Sequence, residues 1–211
     1  YRGMAPLAGS SNREKVWNYM RAHGYSDAAA AGVIGNLMYE SGGGPSDIKL
    51  NAVEKGSGEG IGMVQWSGPR KTAFINFLNS RGSSWPNNDI ALQCEYMLSE
   101  LEGEQWIWTS FGQEYGSENH ISLTQFKQCN DISLATTAFC ANFERCHKRH
   151  SNIEKRIEWA KAAYNEFKGT GAGVVATSTP NVSFPKYNLT DDQINRIACT
   201  LPKEQVTEKG W

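Results

Sequence analysis

The sequence predicts a mainly helical domain, a helical bundle around one buried helix that ends on a glutamate, with a small β-hairpin beside it. Three observations carry this. The run A-A-A-A-G-V-I-G-N-L-M-Y-E over 28–40 is helix-prone and mostly apolar. Gly42-Gly43-Gly44-Pro45 directly after it cannot continue a helix. Over 60–66, Ile61, Val64 and Trp66 alternate with glycines and Gln65, the pattern of a short strand or hairpin.

Taken in order, residues 1–11 are small and polar and form a lead-in. Asn12 to His23 is expected to be a helix, with Asn12 as its cap and Val16, Trp17 and Met20 on its apolar stripe. Gly24 ends it, and Ser26 and Asp27 offer capping oxygens to the central helix, Ala28 to Tyr39 or Glu40. Val33, Ile34, Leu37 and Met38 are its expected buried residues. Gly32 and Gly35 weaken it intrinsically, so their use is close approach to another helix or to the hairpin. Residues 46–58 read as an irregular polar connection. Further helices are expected over 71–80, 89–101, 122–128, 132–143 and 153–167, the last through Ile153, Ile157, Ala160, Tyr164 and Phe167. The 82–88 run reads as a loop, and the aromatic stretch 106–116 has no clear pattern.

Composition changes at Gly169, where G-T-G-A-G-V-V-A-T-S-T-P-N-V-S-F-P reads as a linker. The expected division is therefore 1–168 as the functional domain, 169–187 as the linker, and 188–211 as the start of a second domain or a docking tail. That last piece is too short to build its own core. The chain begins at Tyr1, which leaves room for a longer parent that has lost a leader.

Charge narrows the function. A net charge of −1 over 211 residues exerts no long-range pull on nucleic acid or an anionic membrane surface. No apolar run has transmembrane length. The five cysteines (94, 129, 140, 146 and 199) match no disulfide framework. A bridge between two of Cys129, Cys140 and Cys146 is left open. Cys140, Cys146, His147 and His150 are metal-capable, but C-x5-C-H-x2-H is not a common zinc spacing, so neither metal nor cofactor is expected.

Glu40 is the residue with chemistry. A carboxylic acid at the end of an apolar helix, opposite a polar strand, suits cleavage of glycosidic bonds, which needs a proton delivered to the leaving oxygen. Such an acid works best where apolar surroundings keep it protonated near neutral pH, and Leu37 one turn earlier is expected to supply them. Gln65 can bind an acetamido group or orient Glu40, Trp66 can wall a sugar subsite, and Tyr39 and Ser41 flank the acid.

G-V-I-G-N-L-M-Y-E-S over 32–41 followed by G-I-G-M-V-Q-W-S-G-P-R over 60–70 resembles the phage tail lysozyme family. Q-C-E-Y-M-L-S-E-L over 93–101 is similar to that family's glutamine-to-glutamate-leucine helix. A-T-T-A-F-C-A-N-F-E-R over 135–145 and R-I-E-W-A-K-A-A-Y over 156–164 are similar to its closing helices. The resemblance covers roughly 12–168. It implies an α+β lysozyme-like fold, with the hairpin lining a cleft. It implies a glycoside hydrolase that cuts the β-1,4 bond between N-acetylmuramic acid and N-acetylglucosamine, with Glu40 on the catalytic acid. Peptidoglycan glycan strands are the implied partner, other phage tail proteins a further one, and a virion tail or a secreted protein the implied location.

The resemblance also exposes a gap. Egg-white-type lysozymes carry their second carboxylate in a D-Y-G-I-L-Q strand, and the matching position here is Gly60. The motifs are closer to goose-type lysozymes and lytic transglycosylases, with E-S at the helix end and G-L-M-Q in the strand. Glu59 ranks first and Glu54 second as the missing carboxylate, and Asp47 lies in the same connection. If none reaches the site, the substrate's own 6-hydroxyl can attack and leave a 1,6-anhydro product. A non-catalytic glycan-binding tail component is the remaining alternative, and Glu40 argues against it. Tail lysozymes often come in tandem with a second wall-degrading domain, which 188–211 would begin.

Overall fold

The buried central helix is present. Helix α2 spans Asp27–Glu40, and every residue from Ala28 to Met38 is buried. Around it, a computed structural model describes residues 7–170 as mainly helical: α1 (Asn12–Ala22), α3 (Gly68–Ser80), α4 (Ile90–Glu102), α5 (Ser110–Gln113), α6 (Leu123–Gln128), α7 (Ile132–Phe139), α8 (Lys148–Ser151) and α9 (Ile153–Phe167). All but the first two residues of the expected 169–187 linker, and the whole 188–211 segment, lie outside the described residues. Among the described residues no helix is long and apolar enough to cross a membrane.

Helix α2 survives its two internal glycines because neighbouring helices press directly on them. A methyl group at Gly32 would lie 2.9 Å from the Ala135 carbonyl carbon of α7, and one at Gly35 would lie 2.3 Å from the Arg156 carbonyl oxygen of α9. The helix-propensity loss of glycine, about 1 kcal/mol, is offset by the packing that this closeness permits. Asn36, fully buried between the three helices, donates to Gly32 O (2.8 Å) and Thr136 O (3.0 Å). Ser26 caps the N-terminus of α2 by accepting from Ala29 N, and its hydroxyl donates to the Cys129 carbonyl.

Several boundaries differ from expectation for local reasons. Ser11, not Asn12, caps α1, accepting from Glu14 N at 3.1 Å. Asn12 reaches sideways to Ile48 O, while Asp47 accepts from the backbone N–H of Asn12 and Arg13. Asp47 is thereby a capping residue of α1. Helix α3 begins three residues early because Pro69 suits a first helical turn. The helix expected over 132–143 is α-helical only to Phe139. It continues as a π turn, Cys140–Glu144, and stops at Arg145 in a left-handed conformation. On α9 the buried face runs Arg156, Ala160, Ala163, Phe167, so it is rotated toward the arginine and away from Ile157 and Tyr164.

The expected hairpin is corrected. Only isolated bridges form, Val53 with Ile61 and Ile61 with Trp66, and no ladder extends from them. Gly58, Gly62 and Gln65 all have positive φ, which breaks an extended strand at every third or fourth residue. The loop's own backbone bonds, such as Glu54 N to Gly60 O (2.8 Å) and Gly62 N to Ala52 O (2.9 Å), are reinforced by α4. Gln93 accepts from Met63 N (3.0 Å) and donates to Leu50 O (2.9 Å) and Asn87 O (3.0 Å). Two turns later Glu100 accepts from Trp66 Nε1 (2.7 Å) and pairs with Arg70 through both carboxylate oxygens (2.8 and 2.9 Å). Residues seven apart share a helix face, so one face of α4 carries both anchors.

If α2 and α9 meet as described, Gly35→Ala destabilises the protein by roughly 1–3 kcal/mol in urea unfolding, despite its better helix propensity. An unchanged or higher midpoint would show that the two helices have room between them.

Candidate active site

Glu40 is the last residue of α2. The chain turns away at once, with Ser41 N bonded to Leu37 O and Gly42 in the left-handed region. That turn leaves the Glu40 side chain 18% exposed at the edge of a cleft. The apolar surroundings expected of it are corrected. The Arg156 guanidinium stands 2.6 Å from its Oε1. Arg156 is itself only 2% exposed, and each of its nitrogens has an acceptor: Nε donates to Ser151 O (2.7 Å), Nη1 to Asn36 Oδ1 (3.0 Å) and Nη2 to Glu40. Burial is the largest single influence and works against its charge, but Glu40 together with Cys140, Cys146 and Glu144 outweighs it, and the guanidinium is held above its ordinary value. The Tyr39 ring lies under this cation at 4.3 Å, with Trp159 at 6.2 Å from Tyr39.

A second carboxyl belongs to this group. Glu144, at the end of the π turn, has its Oε1 out of solvent with no hydrogen-bond partner. Its residue as a whole is half-buried. Burial first, and then the charge of Glu40, push the Glu144 carboxyl well above its ordinary value of 4.5, against the pull of Arg70 and Arg156. Arg70 also reaches this corner, donating to Phe143 O at 3.2 Å.

The cleft beside Glu40 has a volume of about 490 Å³. Glu40, Ser41 and Gly42 line one side. The irregular loop lines the other, with Lys49, Ala52, Val53, Glu54, Lys55 and Gln65. Ser41 joins the two sides by accepting from Lys49 N at 3.0 Å. Val53 is 53% exposed and gives the cleft an apolar patch beside two ammonium groups.

The structure separates the sequence candidates. Glu54 lines the cleft, its Oε2 accepting from Ser57 Oγ and from Gly60 N (3.3 Å). Glu59 is exposed and is not among the cleft-lining residues. Gln65 lines the cleft and donates to Gly62 O at 2.8 Å. It also accounts for Gly60: a Cβ there would lie 2.7 Å from Gln65 Oε1, so a side chain at the expected aspartate position would have to displace this amide. Trp66 is no cleft wall. It is fully buried, stacked on Phe74 at 4.0 Å and hydrogen-bonded to Glu100. Tyr39 faces Arg156 instead of the cleft, and Ser41 is a buried strut at its rim. His147 pairs with Glu114 at 3.0 Å, and Cys140 faces Cys146.

Arg156, Glu144, Lys49 and Lys55 were not expected at the site. Only Arg156 leaves a sequence signal: it falls in step with Ala160 and Ala163 on a helix face that should be apolar, and a cation there needs a buried anion.

The sequence pattern of the phage tail lysozyme family matches residues 11–167, which is most of the chain and all of the elements above. Morphogenesis protein 1 of Bacillus phage B103 is 25% identical over 166 residues, 76% of this chain. The chain spans 40% of the length of that curated relative.

Glu144 makes stability pH-dependent in a defined direction. Its folded carboxyl holds a proton that the unfolded chain releases near the ordinary value of 4.5, so its contribution is fullest below that pH and is lost as pH rises through the raised folded value. Glu144→Gln, neutral at every pH, gains stability relative to the parent as pH rises above 4.5. Urea unfolding of both proteins at pH 4, 6 and 8 measures this, and a pH-independent difference would refute the assignment.

Proposed function

The chain belongs to the phage tail lysozyme family, and we propose that it is a muramidase that hydrolyses the β-1,4 bonds between N-acetylmuramic acid and N-acetylglucosamine in peptidoglycan. The observation that supports this best is Glu40, a carboxyl at a helix end on the edge of an open cleft, gripped from behind by a buried arginine. Glu40, a carboxylate against Arg156 at rest, takes up a proton from solvent and hands it to the glycosidic oxygen as the bond breaks. The carboxylate left behind stays in place against Arg156, which fixes its position for the return of the proton. Glu54, on the opposite side of the same cleft, activates the attacking water or steadies positive charge on the sugar. Gln65 and the two lysines orient the polar groups of the glycan, and Val53 offers an apolar surface to a sugar face.

Membership of the family supports a substrate in the cell wall of a host. A tail-borne lysin that opens the wall locally during infection fits this, with other tail proteins as partners, and a viral morphogenesis protein among the relatives fits the same setting. A lytic transglycosylase is the second reading. It draws on Gly60 at the expected aspartate position and on Glu54 being exposed and tied to Ser57.

Glu40→Gln is expected to lower the rate of turbidity loss of a cell-wall suspension by roughly 10²–10⁴-fold, while the variant still sediments with the glycan. Clearance at the parent rate would remove Glu40 from the mechanism. Glu54→Gln is expected to lose activity as well, roughly 10-fold or more for a group acting on the attacking water, with Glu59→Gln unchanged. Mass spectrometry of the digest separates the chemistries: reducing ends accompany hydrolysis, and 1,6-anhydro ends would replace that mechanism with transglycosylation.

A further inference from the structure

Behind Arg156, on the side away from the cleft, two cysteines face each other. Cys140 opens the π turn and is fully buried, whereas Cys146 lies just past the turn and is half-buried. Their sulfurs are 3.2 Å apart. The left-handed Arg145, whose N–H bonds to Cys140 O at 2.8 Å, folds the chain back so that the two positions meet. Tyr115 closes the pocket. Its hydroxyl lies 3.4 Å from Cys140 Sγ and 3.3 Å from Cys146 Sγ, and it donates to Cys146 O at 2.8 Å. Arg156 Nη2 completes the set at 3.9 Å from Cys146 Sγ.

We propose that Cys140 and Cys146 form a site of covalent modification, an oxidisable dithiol whose substrates are small-molecule disulfides. The two sulfurs have distinct roles. Cys146 is the partly accessible one, and the hydrogen bond from Cys140, together with the Arg156 charge, lowers its thiol to about 6 against the opposing effect of burial. Cys140 is pushed up, first by the same hydrogen bond and then by burial, and keeps its proton. Cys146 is thus the nucleophile and Cys140 the resolving thiol.

The exchange balances in two steps. The Cys146 thiolate attacks one sulfur of the small disulfide, forming a mixed disulfide and expelling one thiolate. Cys140 then loses its proton, attacks the Cys146 sulfur and expels the second thiolate, which takes up that proton. The protein dithiol is oxidised by two electrons and the small disulfide is reduced to two thiols. A disulfide bond is about 2.05 Å long, so the sulfurs need approach by only roughly 1 Å. The bridge removes a negative charge next to the arginine that grips Glu40 and ties the end of the π turn to the loop after it. Cys94 and Cys129 are both fully buried and offer no comparable entry.

The test is covalent and does not depend on cell-wall cleavage. The intact chain is incubated with glutathione disulfide, quenched with iodoacetamide and peptide-mapped. The expected product links the Cys140 and Cys146 peptides with loss of two hydrogens. Cys140→Ser is expected to stop at a stable glutathione adduct on Cys146, and Cys146→Ser to take up none at either position. The rate of Cys146 alkylation should rise with a midpoint near pH 6. Recovery of the parent protein with Cys140 and Cys146 both still reduced and alkylated, or a bridge from Cys146 to Cys199 or to a second chain, would overturn the proposal, and neither result needs a variant to fold.

Discussion

The buried pairing of Arg156 with Glu40 is the interaction on which the rest of the molecule depends. Taking a guanidinium out of water costs several kcal/mol unless its charge and its N–H groups are all answered. Here they are, by a carboxylate from α2, an amide from α2 and a carbonyl at the end of α8. Losing one member of such a pair costs about 3–5 kcal/mol, because the other is left charged and buried. The pairing sets both the spacing and the rotation of α9 against α2. It works only because Gly35 lets the backbones approach, and because Asn36, bonded in turn to α7, holds the arginine's second nitrogen. The same contact that closes the core therefore holds the Glu40 carboxyl at the edge of the cleft.

The far side of the cleft is organised by a second polar system. The loop over 50–66 builds no ladder beyond isolated bridges such as the reciprocal bonds of Ile61 and Trp66, and its glycines give it little stiffness. Gln93 and Glu100 supply what a sheet would have supplied, by binding backbone groups and the Trp66 indole from one face of α4. Trp66 then acts as a dowel in the core, stacked on Phe74, and Arg70 carries the connection on to the π turn that bears Glu144. Glu40 and the cleft loop are thus held by separate anchors, α9 for one and α4 for the other, with Ser41 and Lys49 as the link between them.

The π turn joins these systems to the cysteines. Within seven residues the chain presents a buried thiol, a raised carboxyl, a left-handed arginine and a lowered thiol, three of them in the field of Arg156. A regular α-helix through this stretch would turn Glu144 and Cys146 to other faces. The π turn and the left-handed Arg145 that ends it gather them near Arg156.

The sequence alone determined most of the helices and the position of Glu40. The alanine-rich run, its serine cap and the glycine–proline stop specify α2 and place Glu40 at its end, because propensity, capping and chain breaking act over a few residues. The family motifs lie in the same local stretches, and the use of Gly32 and Gly35 for close helix packing could be read from their cost. The partners of Glu40 and the identity of the cleft wall were decided by the tertiary structure. Arg156 is 116 positions away from Glu40, and whether Trp66 faces sugar or core depends on Glu100, 34 positions on. Glu59 and Glu54 are equivalent as sequence, both polar and both in a glycine-rich connection. Glu54 lines the cleft and Glu59 does not, a difference that depends on how the loop is folded and anchored on α4, and that fold exists only once distant helices have packed.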